Sequence, residues 1–101
     1  MLHRAAYVAS KHRVIGLTEA AALEFANQNI RINSIAPGYI LTPLLTNTLD
    51  AATMQALVGL HPLGRLGTSD EVAELALWLN SDKASFVTGA YYNVDGGYLA
   101  Q

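Results

Sequence analysis

Residues 5 to 25 read AAYVASKHRVIGLTEAAALEF, and this composition predicts one continuous helix from about residue 7 to residue 26. The positions that recur at helical spacing are Tyr7, Lys11, Val14, Thr18, Ala22 and Phe25. A tyrosine and a lysine, one turn apart, thus stand on the face that is expected to be apolar. The polar run at residues 27 to 29, Asn-Gln-Asn, is expected to end the helix.

The rest of the chain continues to alternate between helices and strands. Residues 30 to 36, IRINSIA, predict a strand that Pro37 ends, because the residue before a proline is pushed toward extended geometry. Residues 44 to 58 are apolar on one side and predict a helix, and residues 59 to 67 predict a loop. Thr68 and Glu71 predict a capping box that opens a helix running to about residue 80. The buried side of that helix is expected to hold Val72, Leu75, Ala76 and Leu79.

A second short strand is predicted at residues 90 to 94, followed by an Asp-Gly-Gly turn at residues 95 to 97. Two strands separated by helices imply a parallel pair with crossover helices, and therefore an α/β fold. Two strands with three to four helices cannot complete a doubly wound sheet. We therefore expect residues 1 to 101 to form a single partial domain.

The composition limits the possible functions. Hydrophobic residues make up 51% of the chain and charged residues 14%, against about 25% charged in an average soluble domain. A net charge of -2 argues against binding to nucleic acid, which needs a basic patch. The chain has no cysteine, no secretory signal and no apolar run of the roughly 20 residues that a membrane span needs. We expect a cytoplasmic protein that binds neither nucleic acid nor membrane.

Tyr7 and Lys11 form the candidate chemical site. Residues four apart lie on the same helix face, about 6 Å apart along its axis. A phenol has a reference pKa of about 10, and a neighbouring ammonium that lowered it by about three units, or roughly 4 kcal/mol, would allow proton exchange at neutral pH. The pair is therefore a candidate acid–base catalyst for an alcohol or carbonyl oxygen. The alternative is an amphipathic helix edge from which the lysine extends toward solvent.

Further motifs occur in a fixed order around this pair. Tyr7-Val8-Ala9-Ser10-Lys11 is followed by Gly16-Leu17, Asn33, Pro37-Gly38, Ile40 and Thr42, and then by HPLGRLGTSDEVAELALWL and VTGAYYNVDGGY. Together these motifs resemble the second half of the short-chain dehydrogenase/reductase family, and the resemblance covers essentially all 101 residues. It implies the C-terminal part of a Rossmann-type doubly wound parallel sheet. It also implies an NAD(P)-dependent oxidoreductase that interconverts an alcohol and a ketone or aldehyde by hydride transfer.

The resemblance also implies roles for individual residues. Tyr7 would give or take the substrate proton, and Lys11 would bind the nicotinamide ribose and lower the tyrosine pKa. Pro37-Gly38 would lie under the nicotinamide of NAD or NADP, and the main chain of Ile40 and the hydroxyl of Thr42 would hold its carboxamide. Without the flanking motifs, Pro37-Gly38 is an ordinary turn; a role for Thr42 as a helix cap is compatible with cofactor binding.

Residues 39 to 58 would form the substrate-side wall, although core packing is an equal alternative for most of its apolar side chains: Tyr39, Leu44, Leu45, Leu49 and Met54. Ser10 is interpreted as a helix-packing residue. The three histidines show no metal-ligand spacing and are interpreted as surface or loop residues: His3, His12 and His61. Gly96 and Gly97 are expected to form a turn near the subunit surface, without chemistry of their own.

Three parts of the family's machinery have no counterpart in this sequence: the glycine-rich turn that holds the pyrophosphate, the catalytic serine, and the asparagine of the proton relay. The residue that selects NAD or NADP is also missing, so cofactor preference stays open. We therefore expect these 101 residues alone to be inactive. Two classes of function stay open, a small-molecule alcohol or carbonyl oxidoreductase represented by its C-terminal part, and a non-catalytic remnant or dimerisation module. The resemblance implies a homo-oligomer that pairs through the Tyr7 helix.

Overall fold

The computed structural model describes the main chain from residue 2 to residue 101 and the side chains from residue 5 onward. The helices are α1 (Leu2–Phe25), α2 (Pro43–Thr48), α3 (Ala51–Gly59) and α4 (Ser69–Leu79), and the strands are β1 (Ser34–Pro37) and β2 (Tyr91–Val94). Short 3-10 turns occur at Ala26–Gln28, Asp82–Ala84 and Tyr98–Ala100. None of the described helices has the length and apolar character that crossing a bilayer requires.

Helix α1 ends where the sequence predicts. After Phe25 the chain tightens into a 3-10 turn, and Asn29 adopts the left-handed conformation with φ of 63° and donates its N–H to the Ala26 oxygen. Asparagine tolerates this conformation better than most residues. The helix begins at Leu2, five residues earlier than predicted, and its buried positions Thr18 and Ala22 face β1. The hydroxyl groups of Thr18 and Ser34 form a hydrogen bond that joins α1 to β1.

The two strands run parallel, with Ser34 opposite Tyr91 and Pro37 opposite Val94, so the predicted α/β architecture with a parallel pair is confirmed. The predicted strand at residues 30 to 36 was wrong in its first half, because the ladder begins only at Ser34. Before that point, the Asn33 side chain also joins the two segments, because it accepts from the Ala90 N–H at 3.0 Å and donates to the Val87 oxygen at 2.9 Å.

The single helix predicted at residues 44 to 58 is also wrong, since the structure has two. Helix α2 ends at Thr48, and Leu49 adopts an extended conformation. Asp50 then acts as the N-cap of α3, where its carboxylate accepts the Thr53 N–H at 2.7 Å. An aspartate that bonds the main chain in this way starts a new helix in preference to continuing an old one. This hydrogen bond lowers the pKa of Asp50 below its usual value.

The predicted capping box of α4 is confirmed. The Thr68 hydroxyl accepts the Glu71 N–H at 3.2 Å, and the Glu71 carboxylate accepts the Thr68 N–H at 2.9 Å. Asn80 is the C-cap, as the predicted end of the helix requires. The four residues predicted for the inner side of α4 are all partly or fully buried: Val72, Leu75, Ala76 and Leu79.

The core is small for a chain so rich in apolar residues. Among the described side chains, the buried apolar ones are Ala22, Leu66, Leu79 and Ala84. The radius of gyration is 15.9 Å, against about 13 Å for a compact domain of 100 residues. Large side chains such as Leu23 (81% exposed) and Phe86 (fully exposed) stand in solvent. Much apolar surface is therefore left uncovered around the sheet and along α1.

Candidate active site

Strand β1 ends at Pro37, at the carboxyl edge of the parallel pair. Gly38 donates its N–H to the Val94 oxygen at 2.9 Å. A Cβ at Gly38 would lie 2.8 Å from Cβ and 2.9 Å from Cα of Asp95, so no other residue fits between these two chain segments. Pro37 and Gly38 therefore form a close-packed floor at the end of the sheet, where ligands of open α/β sheets generally bind.

A parallel bridge fixes the segment that follows this floor. Leu41 donates its N–H to the Gly67 oxygen at 2.8 Å, and Gly67 donates its N–H to the Tyr39 oxygen at 3.2 Å. In such a bridge the residue between the two bonded neighbours points its own N–H and C=O the other way. The main-chain N–H and C=O of Ile40 thus face away from Gly67.

Thr42 occupies the N-cap position of α2, with Pro43 at the first helical position. The position confirms the interpretation of Thr42 as a cap residue, but its side chain makes no capping hydrogen bond. The Thr42 hydroxyl is therefore not used by the helix that it precedes, and it follows directly on the bridge at Ile40.

Tyr7 and Lys11 lie near the beginning of α1, where Tyr7 is 55% exposed and Lys11 is half-buried. Lys11 Nζ lies 5.8 Å from the centre of the Tyr91 ring, at the first position of β2. Burial raises the pKa of Tyr91 above its usual value of 10, and the negative charge of an ionised Tyr7 raises it further. The structure thus brings Tyr7, Lys11 and Tyr91 together on the face of β2 toward α1.

Tyr91 was not among the residues expected from the sequence. The alternation of a strand places Tyr91 and Asn93 on one face and Tyr92 and Val94 on the other. That alternation was readable, but which face meets α1 depends on the packing of the helix on β1. Both halves of the candidate site border β2. The Tyr7–Lys11 pair lies near Tyr91, the first residue of the strand, and the Pro37-Gly38 floor lies beside Val94, the last. Tyr91 and Val94 are three residue steps apart along the strand, or about 10 Å.

The predicted substrate-side residues differ in their surroundings. Tyr39 is partly exposed and lies edge-on to the rings of His61 and Tyr98, with ring centres 5.9 and 6.3 Å away. Leu44 is 70% exposed, which favours a lining role over core packing. Leu45 is half-buried, as are Leu49 and Met54 on the same two helices.

His61 lies in the loop after α3, as the sequence predicts, but it is not on the surface, since only 3% of it is exposed. Its Nδ1 lies 2.8 Å from the Leu57 oxygen, and its Nε2 has no hydrogen-bond partner among the described residues. The rings of Tyr39 and Tyr98 pack against the His61 ring, with ring centres 5.9 and 5.6 Å away. His12 is exposed, whereas the side chain of His3 lies outside the described residues.

A cavity of about 250 Å³ is lined by residues that include Tyr39, Arg65, Asn93 and Asp95. The predicted turn at Gly96 and Gly97 is confirmed by their φ angles of 58° and 91°, and it lines the same cavity. Neither Tyr7 nor Lys11 borders this cavity. It is therefore separate from the candidate acid–base pair.

The chain is similar to known proteins over most of its length. The family model described as enoyl-(acyl carrier protein) reductase matches residues 1–99. A cyclohexanol dehydrogenase of Acinetobacter sp. (strain SE19) is 56% identical over 95 residues, covering 94% of this chain and 36% of that protein. The solved structure of ElxO with NADP bound has a TM-score of 0.84 at 41% identity, and covers 94% of this chain and 39% of its own. The solved structure of a 4-hydroxyisoleucine dehydrogenase complexed with NADH and succinate has a TM-score of 0.81 at 43% identity. The match covers 96% of this chain and 39% of that protein's chain.

The fold is thus that of the Rossmann-type dehydrogenases, an α/β architecture with parallel strands. The chain belongs to the short-chain dehydrogenase/reductase family. It spans between a third and two fifths of the length of these three proteins.

Proposed function

We propose that this chain carries the proton-transfer and nicotinamide-side part of an NAD(P)-dependent oxidoreductase that interconverts an alcohol and a ketone or aldehyde. The observation that carries the proposal is the half-buried Lys11, one turn from an exposed Tyr7, on a helix packed against the strand that ends in the Pro37-Gly38 floor. The 56% identity with a cyclohexanol dehydrogenase supports the reaction class, and the NADP-bound and NADH-bound neighbours support the cofactor.

The residues around the end of β1 suit a bound nicotinamide. The site needs a flat floor and main-chain groups for the carboxamide, and Gly38 supplies the first because no side chain can stand there. The N–H and C=O of Ile40 supply the second, since the bridge to Gly67 uses only the groups of its neighbours. The uncapped Thr42 hydroxyl adds a further hydrogen-bonding group.

When bound, the nicotinamide ring accepts or supplies the hydride. In the oxidising direction, the Tyr7 phenolate takes the proton from the substrate hydroxyl as the carbon–hydrogen bond breaks. In the reducing direction, the Tyr7 phenol returns that proton to the forming alcohol oxygen. Lys11 binds the ribose hydroxyls of the nucleotide, one helical turn from Tyr7. Tyr39, Leu44 and Leu45 form an apolar wall that admits a small, largely hydrocarbon alcohol.

We further propose that residues 1 to 101 are one part of a larger domain, whose pyrophosphate cradle and serine the sequence of this chain lacks. A hybrid enzyme tests the proposal, in which residues 1 to 101 replace the matching segment of the Acinetobacter cyclohexanol dehydrogenase. Cyclohexanol oxidation is followed by the absorbance of reduced nicotinamide. We expect Tyr7→Phe to reduce kcat by about 10²- to 10⁴-fold, while Tyr92→Phe, a change on the opposite face of β2, leaves it intact.

Lys11→Ala is expected to weaken nucleotide binding and to reduce turnover together, while Lys83→Ala on an exposed turn changes neither. A hybrid in which Tyr7→Phe kept full activity would contradict the assignment of the acid–base group. We also expect the 101 residues alone to show no turnover. Turnover by this chain that Tyr7→Phe abolished would contradict that expectation.

The exposed apolar side chains of α1 favour a second candidate function, that of a module that pairs two subunits. Val14 and Leu17 stand in solvent three residues apart on one side of this helix, and exposed apolar side chains that lie together generally mark an interaction surface. We propose that two copies associate through it. Sedimentation of the chain is expected to show a dimer that Leu17→Glu dissociates and Leu44→Glu does not. A monomer at all concentrations would contradict this second function.

A further inference from the structure

Lys11 approaches the face of an aromatic ring that the acid–base mechanism does not use. Its Nζ lies 5.8 Å from the centre of the Tyr91 ring. A lysine ammonium within about 6 Å of a tyrosine ring centre is attracted by the negative potential of the ring face. Tyr91 is the first residue of β2 and is half-buried.

The fold accounts for this approach. Helix α1 is attached to the beginning of β1 by the Thr18–Ser34 hydrogen bond, and Ser34 is the direct partner of Tyr91 in the sheet. Lys11 lies seven residues before Thr18, two turns along the helix, and therefore on nearly the same face. The ring of Tyr91 thus stands beside the stripe of α1 that carries Lys11.

The surroundings of the Tyr91 ring keep its phenol uncharged, as a partner for the Lys11 ammonium requires. Burial, and in second place the charge of an ionised Tyr7, raise the pKa of Tyr91 above its usual value of 10. Tyr91 consequently stays a neutral phenol at neutral pH. It can therefore attract the ammonium through its ring face as an uncharged partner.

We propose that Tyr91 is a positioning residue that holds the ammonium of Lys11 over its ring face, beside Tyr7. A lysine side chain has four rotatable bonds and loses much conformational freedom when it is fixed on a ligand. A ring that restricts the ammonium beforehand reduces that loss. The inference rests on the proposed function, since a restricted Lys11 improves affinity only for a nucleotide that this lysine binds.

Nuclear magnetic resonance of the whole chain tests the contact, because protons above an aromatic face resonate upfield. The chain has one other lysine, Lys83, which is exposed and serves as an internal control. We expect the ε-methylene protons of Lys11 to lie upfield of those of Lys83. Tyr91→Leu, which removes the ring, is expected to bring the two sets together, while Tyr91→Phe, which keeps the ring and removes the hydroxyl, retains the difference.

Equal shifts for Lys11 and Lys83 in the unchanged chain would overturn the proposal. So would an upfield shift that survives Tyr91→Leu, or one that Tyr91→Phe abolishes, since the latter would assign the contact to the hydroxyl. Should Tyr91→Leu fail to fold, Tyr91→Trp gives an independent test, because the larger ring is expected to move the Lys11 protons further upfield. An unchanged or smaller shift in that variant would equally contradict the contact.

The hybrid enzyme gives a second readout, in which Tyr91→Leu is expected to weaken nucleotide binding by about two- to fivefold. Tyr91→Phe keeps the ring and is expected to leave the nucleotide Kd unchanged. If the Tyr91 hydroxyl were the group that positions Lys11, this variant would weaken nucleotide binding as well. The resonance experiment needs no nucleotide. A hybrid that bound no cofactor would therefore contradict the proposed function, whereas an absent ring shift would contradict the role of Tyr91.

Discussion

Nη1 of Arg31 lies 2.8 Å from the main-chain oxygen of Leu79, the last residue of α4. The same nitrogen donates to the Ala84 oxygen at 2.8 Å, and Nη2 donates to the Ser81 oxygen at 3.2 Å. The last carbonyl groups of a helix have no partner within the helix. One guanidinium therefore satisfies the end of α4 and the turn after it, and joins both to the segment that leads into β1.

We expect Arg31→Met to lower the free energy of unfolding by about 3 kcal/mol, because it leaves several part-buried carbonyl groups without a donor. The measurement is equilibrium unfolding in urea. Arg13→Met provides the matched control, since Arg13 is exposed on α1, and we expect it to change stability by less than about 0.5 kcal/mol. Equal effects of the two substitutions would show that the Arg31 hydrogen bonds contribute nothing to stability.

Gly38→Ala is expected to destabilise the chain by about 1–3 kcal/mol, since its Cβ would meet Cα and Cβ of Asp95 below 3 Å and the main chain would have to shift. Gly16→Ala is the matched control, because its Cβ would meet nothing within 4 Å on α1. There we expect a gain of about 0.5–1 kcal/mol from helix propensity. Urea unfolding should thus give opposite signs; a neutral Gly38→Ala would mean that the two strand ends can separate without cost.

The stability of the chain is expected to fall in acid through Glu71. Hydrogen bonds from the Arg65 guanidinium, at 2.7 and 2.8 Å, and then from the Thr68 N–H lower the pKa of Glu71 from 4.5 to about 2. Because the folded state binds this proton more weakly than the unfolded state, the contribution is complete above pH 4.5 and is lost as the pH falls toward 2.

Thermal melts over that pH range check this expectation. At neutral pH, Glu71→Gln should melt at a lower temperature than the unchanged chain, and the difference should shrink as the pH drops below 4.5. Glu74→Gln removes an exposed carboxylate from the same helix and is the control. A difference that persisted undiminished at low pH would assign the effect of Glu71→Gln to packing in place of charge.

The features that the sequence predicted well depend on neighbours along the chain. The capping box at Thr68 and Glu71 and the stop after Phe25 use residues three or four apart, and both were found in place. The break at Asp50 was missed, although it is local, because an apolar periodicity runs across it. Tyr91 and the burial of His61 could not be predicted, since each depends on segments that are distant in sequence.

Thr42 and Thr68 both precede a helix, but only the Thr68 hydroxyl caps its helix. We therefore expect Thr68→Ala to cost about 1 kcal/mol of unfolding free energy, and Thr42→Ala to cost much less. In the hybrid enzyme, Thr42→Ala should instead weaken nucleotide binding by about two- to tenfold, the equivalent of one hydrogen bond. Titration calorimetry and urea unfolding of both variants separate the two effects. If Thr42→Ala lowered stability as much as Thr68→Ala and left the nucleotide Kd unchanged, Thr42 would be a structural residue and its place in the cofactor site would be wrong.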